Sequence, residues 1–299
     1  MYDAVPAPAT EARSETTRGL DTLATTELVA VLVREQSRAL EAVDRATTSI
    51  ARVVDIVVER LRAGGRLLYV GAGTSGRLAT LDAAELPPTF GTSPSLVVAH
   101  VAGGDAALVR AVEGAEDDAD AGVAAMREVT ARDVAIGISA SGAAPFVIAA
   151  LRRARAAGAI TVGIANDPHA ALFTVSDMHV ALETGAEPIA GSTRLLAGTA
   201  QKLVLNAIST ATMVRLGKVY DNFMVDVVAT NAKLHRRALR LLTELAGVEG
   251  SRAAALLEAS GGSVKVAVAM VRRDLSAADA RSLLARHDGF LRHALEPLG

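Results

Sequence analysis

The 299-residue chain contains no cysteine and no tryptophan, and only 3% of its residues are aromatic. Without cysteine there are no disulfides and no thiolate metal ligands, although this alone fixes no compartment. The six histidines, His100, His169, His179, His235, His287 and His293, show no metal-ligand spacing, so no structural metal is expected. There is no basic-plus-apolar leader pattern and no apolar run long enough to span a bilayer, so the expected location is cytoplasmic, with no membrane partner. Neither sign of charge dominates: 31 basic against 33 acidic residues give a net charge of −2, which speaks against a nucleic-acid partner. A phosphate ligand would then be held by local N–H groups and hydroxyls. With so few aromatics and 51% hydrophobic residues, the core must be built from Ala, Val, Leu and Ile.

What is present is an alternation of apolar runs and helical periods. Residues 1–20 are rich in Ala, Pro, Thr, Glu and Arg without periodicity and read as disordered. A helical segment is expected over 21–65, clearest at Ile50, Val53, Val54, Val57, Val58 and Leu61, and closed by Gly64-Gly65. Apolar runs at 67–70, 96–101, 134–138, 160–165 and 178–182, the first four separated by helical stretches, predict a parallel sheet covered on both faces. A long helix is expected from about Ser192 to Leu216, its start at Gly191-Ser192-Thr193 being another hydroxyl-bearing N-terminus. The resulting division is a sheet domain over 66–220, a helical connector over 221–247 and a small helical domain over 248–299.

Two turns carry the chemistry. Gly71-Ala72-Gly73-Thr74-Ser75-Gly76-Arg77 follows the first strand and would aim backbone N–H groups and a helix N-terminus at an anion. It matches G-x-G-x-x-G, by itself a weak dinucleotide signal. The hydroxyls of Thr74 and Ser75 favour a small polyhydroxylated ligand such as a sugar phosphate, because a dinucleotide turn keeps side chains away from the pyrophosphate. Ser139-Ala140-Ser141-Gly142 follows the third strand, with Pro145 placed for a helix's first turn. Serine capping would explain either turn alone; the pair points to one anion site. Two acidic features follow the first turn: Glu85, expected to close the helix before Pro87-Pro88, and Glu113-Gly114-Ala115-Glu116-Asp117-Asp118 on the next helix, with Glu113 and Glu116 sharing a face. An acidic run is usually a solvated face, and spacing alone assigns these carboxylates no role.

The first turn, together with Leu81-Asp82-Ala83-Ala84-Glu85-Leu86-Pro87-Pro88-Thr89-Phe90-Gly91 and Ala111-Val112-Glu113-Gly114-Ala115-Glu116-Asp117, resembles the N-acetylmuramic acid 6-phosphate etherases. Gly198-Thr199-Ala200-Gln201-Lys202-Leu203-Val204-Leu205-Asn206 and Met224-Val225-Asp226-Val227-Val228-Ala229-Thr230-Asn231 extend the match over nearly the whole chain. The resemblance implies a doubly wound parallel sheet (a sugar isomerase, or SIS, domain) with N-terminal helices and a small C-terminal helical domain, in a homodimer. It implies a small-molecule sugar 6-phosphate as partner, cleavage of the ether joining D-lactate to C3 of the amino sugar, and no metal or organic cofactor.

In that chemistry a ring-opened aldehyde acidifies the C2 proton; a base removes it while an acid protonates departing lactate, and water then adds at C3. One carboxyl must be protonated and another ionised. The resemblance puts these roles on Glu85, as proton donor to lactate, and Glu116, as partner acid/base. It puts phosphate contacts on Ser139, Ser141 and the Gly142 backbone, and the sugar against Gly73, Thr74 and Ser75. Lys202 and His235 could help ring opening or complete a neighbour's site, but the preferred reading is an ordinary surface lysine and histidine. The second turn departs from the family's Ser-Gly-Arg-Thr-Pro-Tyr, having Ala143, Ala144 and Phe146, so one hydroxyl and one basic side chain are missing. Leu196 replaces a usual lysine, and Ala232 interrupts the expected Asn-Glu-Lys between Asn231 and Lys233. Competing readings are a non-catalytic sugar-phosphate sensor resembling glucokinase regulatory protein, an isomerase on the same fold and, last, a nicotinamide oxidoreductase.

Overall fold

The computed structural model describes residues 8–227 and 232–296. The chain divides into two compact units: residues up to Ala83 with Ser95–Ser209, and Ala84–Pro94 with the residues from Thr210 onward.

In the first unit, helices α1 (Thr25–Glu35), α2 (Ser37–Arg45) and α3 (Thr47–Arg62) precede the sheet. The six residues picked out by periodicity are the buried face of α3, each worth about 1.5–3 kcal/mol when fully removed from water. Five parallel strands follow: β1 (Leu67–Gly71), β2 (Val97–Val101), β3 (Val134–Ser139), β4 (Ile160–Ala165) and β5 (Met178–Ala181). β1 and β3 are buried at every position, as continuous apolar runs of a doubly covered sheet should be. Four helices complete the α/β alternation: α4 (Gly73–Phe90), α5 (Ala106–Val109), α6 (Ala119–Ala125) and α7 (Pro145–Ala156), with α8 (Leu196–Arg215) after the sheet.

The strand order is β2-β1-β3-β4-β5. Chain direction across the sheet therefore reverses between β1 and β3, and the register sets Gly71 beside Ile138. The first and second turns leave the sheet next to one another at this switch point, where ligands of open α/β sheets bind.

Four local expectations are corrected. Residues 8–20, read as disordered from composition, carry a 3-10 turn at Ala9–Glu11; Thr10 is buried, its carbonyl accepts from Gly191 N at 3.1 Å, and Thr17 Oγ1 donates to the Pro188 carbonyl at 2.8 Å. Helix α4 does not close at Glu85 but runs through Pro87 and Pro88 to Phe90. Each proline costs the helix one N–H, leaving the carbonyls four residues back without their usual partner. The acidic run is not helical: α5 ends at Val109, Gly114 takes a left-handed φ of 71° that breaks a helix, and Glu116 sits in a 3-10 turn, Ala115–Asp117. Finally, α8 starts at Leu196, not Ser192, because Glu187 caps it there. The fully buried Glu187 carboxylate accepts from Leu196 N at 2.8 Å and Ala197 N at 2.9 Å. That occupied terminus offers a ligand little.

The second unit contains the hairpin β6 (Val219–Tyr220) and β7 (Phe223–Met224) and helices α9 (Ala232–Ala246), α10 (Gly250–Ala259), α11 (Val264–Arg273), α12 (Ala277–Arg286) and α13 (Leu291–Leu295). One apolar cluster runs from Val225 through Leu242, Val268 and Leu284 to Ala294. The expected connector over 221–247 therefore shares its core with the helices after 248. Ser276 caps α12, its Oγ accepting from Asp279 N at 3.1 Å. Lys265, 7% exposed, reaches Asp226 at 2.8 Å and donates to the Gly217 carbonyl at 3.0 Å. Burial pushes its ammonium below the usual lysine range, against the pull of Asp226. The motif residues Val228, Ala229, Thr230 and Asn231 lie outside the described residues. No single helix among the described residues is long and apolar enough to cross a membrane.

Candidate active site

The first turn folds back on itself tightly enough to require glycine. A Cβ on Gly76 would stand 2.5 Å from Val101 Cγ2 and 2.7 Å from the Gly71 carbonyl oxygen. This lets α4 begin against the end of β1, with first-turn amides that have no carbonyl one turn back to bond. Gly73 is exposed at φ 53°, and Thr74 is half-buried. Ser75 is 6% exposed and its hydroxyl donates to Gln201 Oε1 of α8 at 2.8 Å.

The second turn is built the opposite way. Ser139 Oγ accepts from Gly142 N at 3.0 Å, and Ser141 Oγ accepts from Ala143 N at 3.3 Å. Both oxygens are held from within the turn, which leaves both hydroxyl protons for an outside acceptor. Gly142 has φ 68°, its carbonyl accepts from Leu172 N at 2.9 Å, and a Cβ there would overlap Ala170 Cβ. Ala144, where a threonine hydroxyl was expected from the resemblance, is the buried residue preceding α7 and leaves that helix without a side-chain cap.

The structure thus brings Gly73, Thr74, Ser75, Ser139, Ser141 and Gly142 to one edge of one sheet. Glu116 belongs to the same unit, in its 3-10 turn; Glu85 belongs to the second unit, on α4; both are exposed. Lys202 and His235 are exposed on α8 and α9. A cleft of about 660 Å³ opens beside the acidic turn, lined by His100, Gly103, Gly104, Glu113, Asp118 and Phe146 among others, but by neither serine turn. Burial, with Arg66 nearby, lowers the His100 imidazole below its ordinary range, so it is neutral at pH 7.

Sequence reasoning missed a buried carboxylate one helical turn before Glu85. Asp82, 5% exposed, accepts from Ser209 Oγ at 2.9 Å, Asn206 Nδ2 at 2.8 Å and the fully buried Tyr69 hydroxyl at 3.1 Å. Burial raises its carboxyl above the usual range despite these three donors and the charge of Lys202. Asp82 and Asn206 both stood inside recognised motifs; only the pairing across two helices was hidden.

Two family models match: the glucokinase regulatory protein N-terminal SIS domain over residues 49–155, and the SIS domain over residues 108–211. Among solved structures, a phosphoheptose isomerase from Francisella tularensis aligns with TM-score 0.50 and 18% identity over 64% of this chain and all of that one. The likeness establishes the fold. An N-acetylmuramic acid 6-phosphate etherase of Geobacillus thermodenitrificans is 51% identical over 290 residues, 96% of this chain and 98% of the relative. The chain belongs to the N-acetylmuramic acid 6-phosphate etherase family. Family members from Serratia proteamaculans, 47% identical over 95% of this chain and 97% of theirs, and Thermobifida fusca, 52% identical over 87% and 85%, agree with that placement. Etherases matched along nearly their full length favour an enzyme over the sensor reading.

Proposed function

We propose that the protein is a carbon–oxygen lyase that cleaves the D-lactyl ether of N-acetylmuramic acid 6-phosphate, giving N-acetylglucosamine 6-phosphate and D-lactate. The observation that carries this is near-full-length identity of about half to etherases, together with the paired hydroxyl turns at the switch point of the sheet.

In this reading the 6-phosphate meets the free hydroxyl protons of Ser139 and Ser141, while Gly73 and Thr74 border the sugar; the Gly142 N–H, expected to contact the phosphate, is already given to Ser139 Oγ and shapes the turn instead. Ser75, whose proton is already given to Gln201, offers a ligand only an acceptor. Elimination comes first: Glu116 takes the C2 proton of the ring-opened sugar, the C3–O bond breaks, and Glu85 protonates the lactate oxygen. Water then adds its oxygen to C3 of the unsaturated aldehyde and C2 is reprotonated, so the sum is hydrolysis of the ether. Such proton transfers work best where water is restricted. Both glutamates are exposed in the single chain, and a homodimer would supply the cover. Val109 and Val112, just before the acidic turn, are 88% and 39% exposed and give a second copy apolar surface to close on.

Replacing Glu85→Gln tests the assignment. D-Lactate release should fall by at least about 100-fold, the lower end of what a positioned proton donor contributes, with the circular dichroism spectrum unchanged. Near-normal turnover in a folded variant removes Glu85 from the mechanism.

A further inference from the structure

A chain of buried polar groups links the two turns, and its polarity is fixed at one end. The Leu182 carbonyl can only accept a hydrogen bond, so Asn166 presents Nδ2 to it at 3.2 Å, with Thr184 Oγ1 at 3.3 Å. Asn166 Oδ1 therefore faces Gln201, which donates to it from Nε2 at 2.9 Å. Gln201 Oε1 is left to accept the Ser75 hydroxyl at 2.8 Å. At the other end the Asn166 backbone N–H donates to the carbonyl of Ala140, inside the second turn, at 2.9 Å. Asn166 is fully buried, Gln201 is 1% exposed, and Thr184 and Ser75 are nearly as enclosed. A buried amide pair with a partner at each oxygen and nitrogen resists rotation, because turning either amide sets donor against donor or acceptor against acceptor away from water. At their bases the turns are also held by the β1–β3 ladder, which sets Gly71 beside Ile138; Asn166 and Gln201 carry the connection beyond it.

We propose that Asn166 and Gln201 are positioning residues: a strut that sets the spacing between the first turn, through Ser75, and the second, through Ala140, and thereby the preference for a sugar 6-phosphate over bare phosphate. The inference rests on the reading of both turns as one ligand site. A ligand that spans both turns depends on their spacing, whereas inorganic phosphate needs the second turn alone.

The test is equilibrium binding of N-acetylglucosamine 6-phosphate and of inorganic phosphate to the full chain by calorimetry, with Gln201→Met, which keeps length and removes both bonds. The sugar phosphate should bind at least about tenfold more weakly, as misplacement of order 1 Å can cause, while inorganic phosphate moves less than about twofold on the same scale. Equal weakening of both ligands, or of neither, in a folded variant overturns the strut. Should Gln201→Met fail to fold, Gln201→Glu decides. Its ionised carboxylate sets acceptor against acceptor at Asn166 Oδ1, whereas its protonated form donates there. Its sugar-phosphate affinity relative to the native chain should recover as pH falls; a flat ratio overturns the proposal. A native chain that binds neither ligand overturns the reading of the site and the strut with it, an outcome distinct from a failed variant.

Discussion

Gly142→Ala offers the sharpest prediction about the site, because two independent penalties meet at one atom. The left-handed φ of 68° disfavours any Cβ by about 1–2 kcal/mol. The same Cβ would overlap Ala170 Cβ and lie 3.1 Å from Ala170 Cα and 3.2 Å from Ala165 Cβ, and forced overpacking of this kind costs about 1–3 kcal/mol. Together the loss should be about 2–5 kcal/mol. The two parts can be separated: Ala170→Gly removes the overlapping methyl and leaves the backbone strain. In the Gly142→Ala background it should restore about 1–3 kcal/mol, while alone it destabilises slightly. The assay is urea denaturation followed by circular dichroism for all four chains, with hydrogen exchange of the β3 and β4 amides as the local readout. A Gly142→Ala loss below about 0.5 kcal/mol, the scale of an ordinary surface change, refutes the reasoning; so does the absence of coupling to Ala170→Gly.

Asp82, whose carboxyl is raised by burial, binds its proton more tightly folded than unfolded; its contribution to stability is complete below the unfolded pKa and is lost as pH rises through the folded one. Asp82→Asn keeps the shape and removes this dependence, so its stability relative to the native chain should rise between pH 4 and pH 7, and a constant difference in urea titrations across that range would contradict the account. In the helical unit, Asp226→Ala leaves the buried Lys265 ammonium unpaired and should cost about 3 kcal/mol, whereas Lys265→Met, which removes the charge itself, should cost less than half as much by the same urea titration. Ala144→Thr restores a hydroxyl at the start of α7: it should add about 0.5–1 kcal/mol as a helix cap and lower the KM for the sugar phosphate, and a raised KM would count against the placement of the phosphate.

The sheet was legible because its strands are short, mostly apolar runs, β1 and β3 buried throughout, and α3 because all six of its stripe residues are buried. What failed were boundaries set by tertiary partners. The start of α8 depends on Glu187, a carboxylate nine residues before Leu196 that fills the helix terminus from outside. Gly114, at positive φ inside the acidic run, turned an apparent acidic helix into a loop and a single 3-10 turn. In the site, the two hydroxyl turns were visible as motifs, but the direction of each hydroxyl was not. Ser75 and Ser139 are the same residue in similar turns, and only their partners, Gln201 126 positions away and Gly142 three away, make one a committed donor and the other a free one. The buried Asp82 was equally hidden, since its donors come from β1 and α8.

The central claim is elimination followed by hydration at C3. Its most direct test is D-lactate release from N-acetylmuramic acid 6-phosphate in water enriched in heavy oxygen, with mass analysis of both products. The account predicts one solvent oxygen at C3 of N-acetylglucosamine 6-phosphate and none gained by the lactate in forming its hydroxyl. Label in the lactate hydroxyl instead would mean cleavage on the other side of the ether oxygen and would contradict it, as would saturable sugar-phosphate binding with no lactate released.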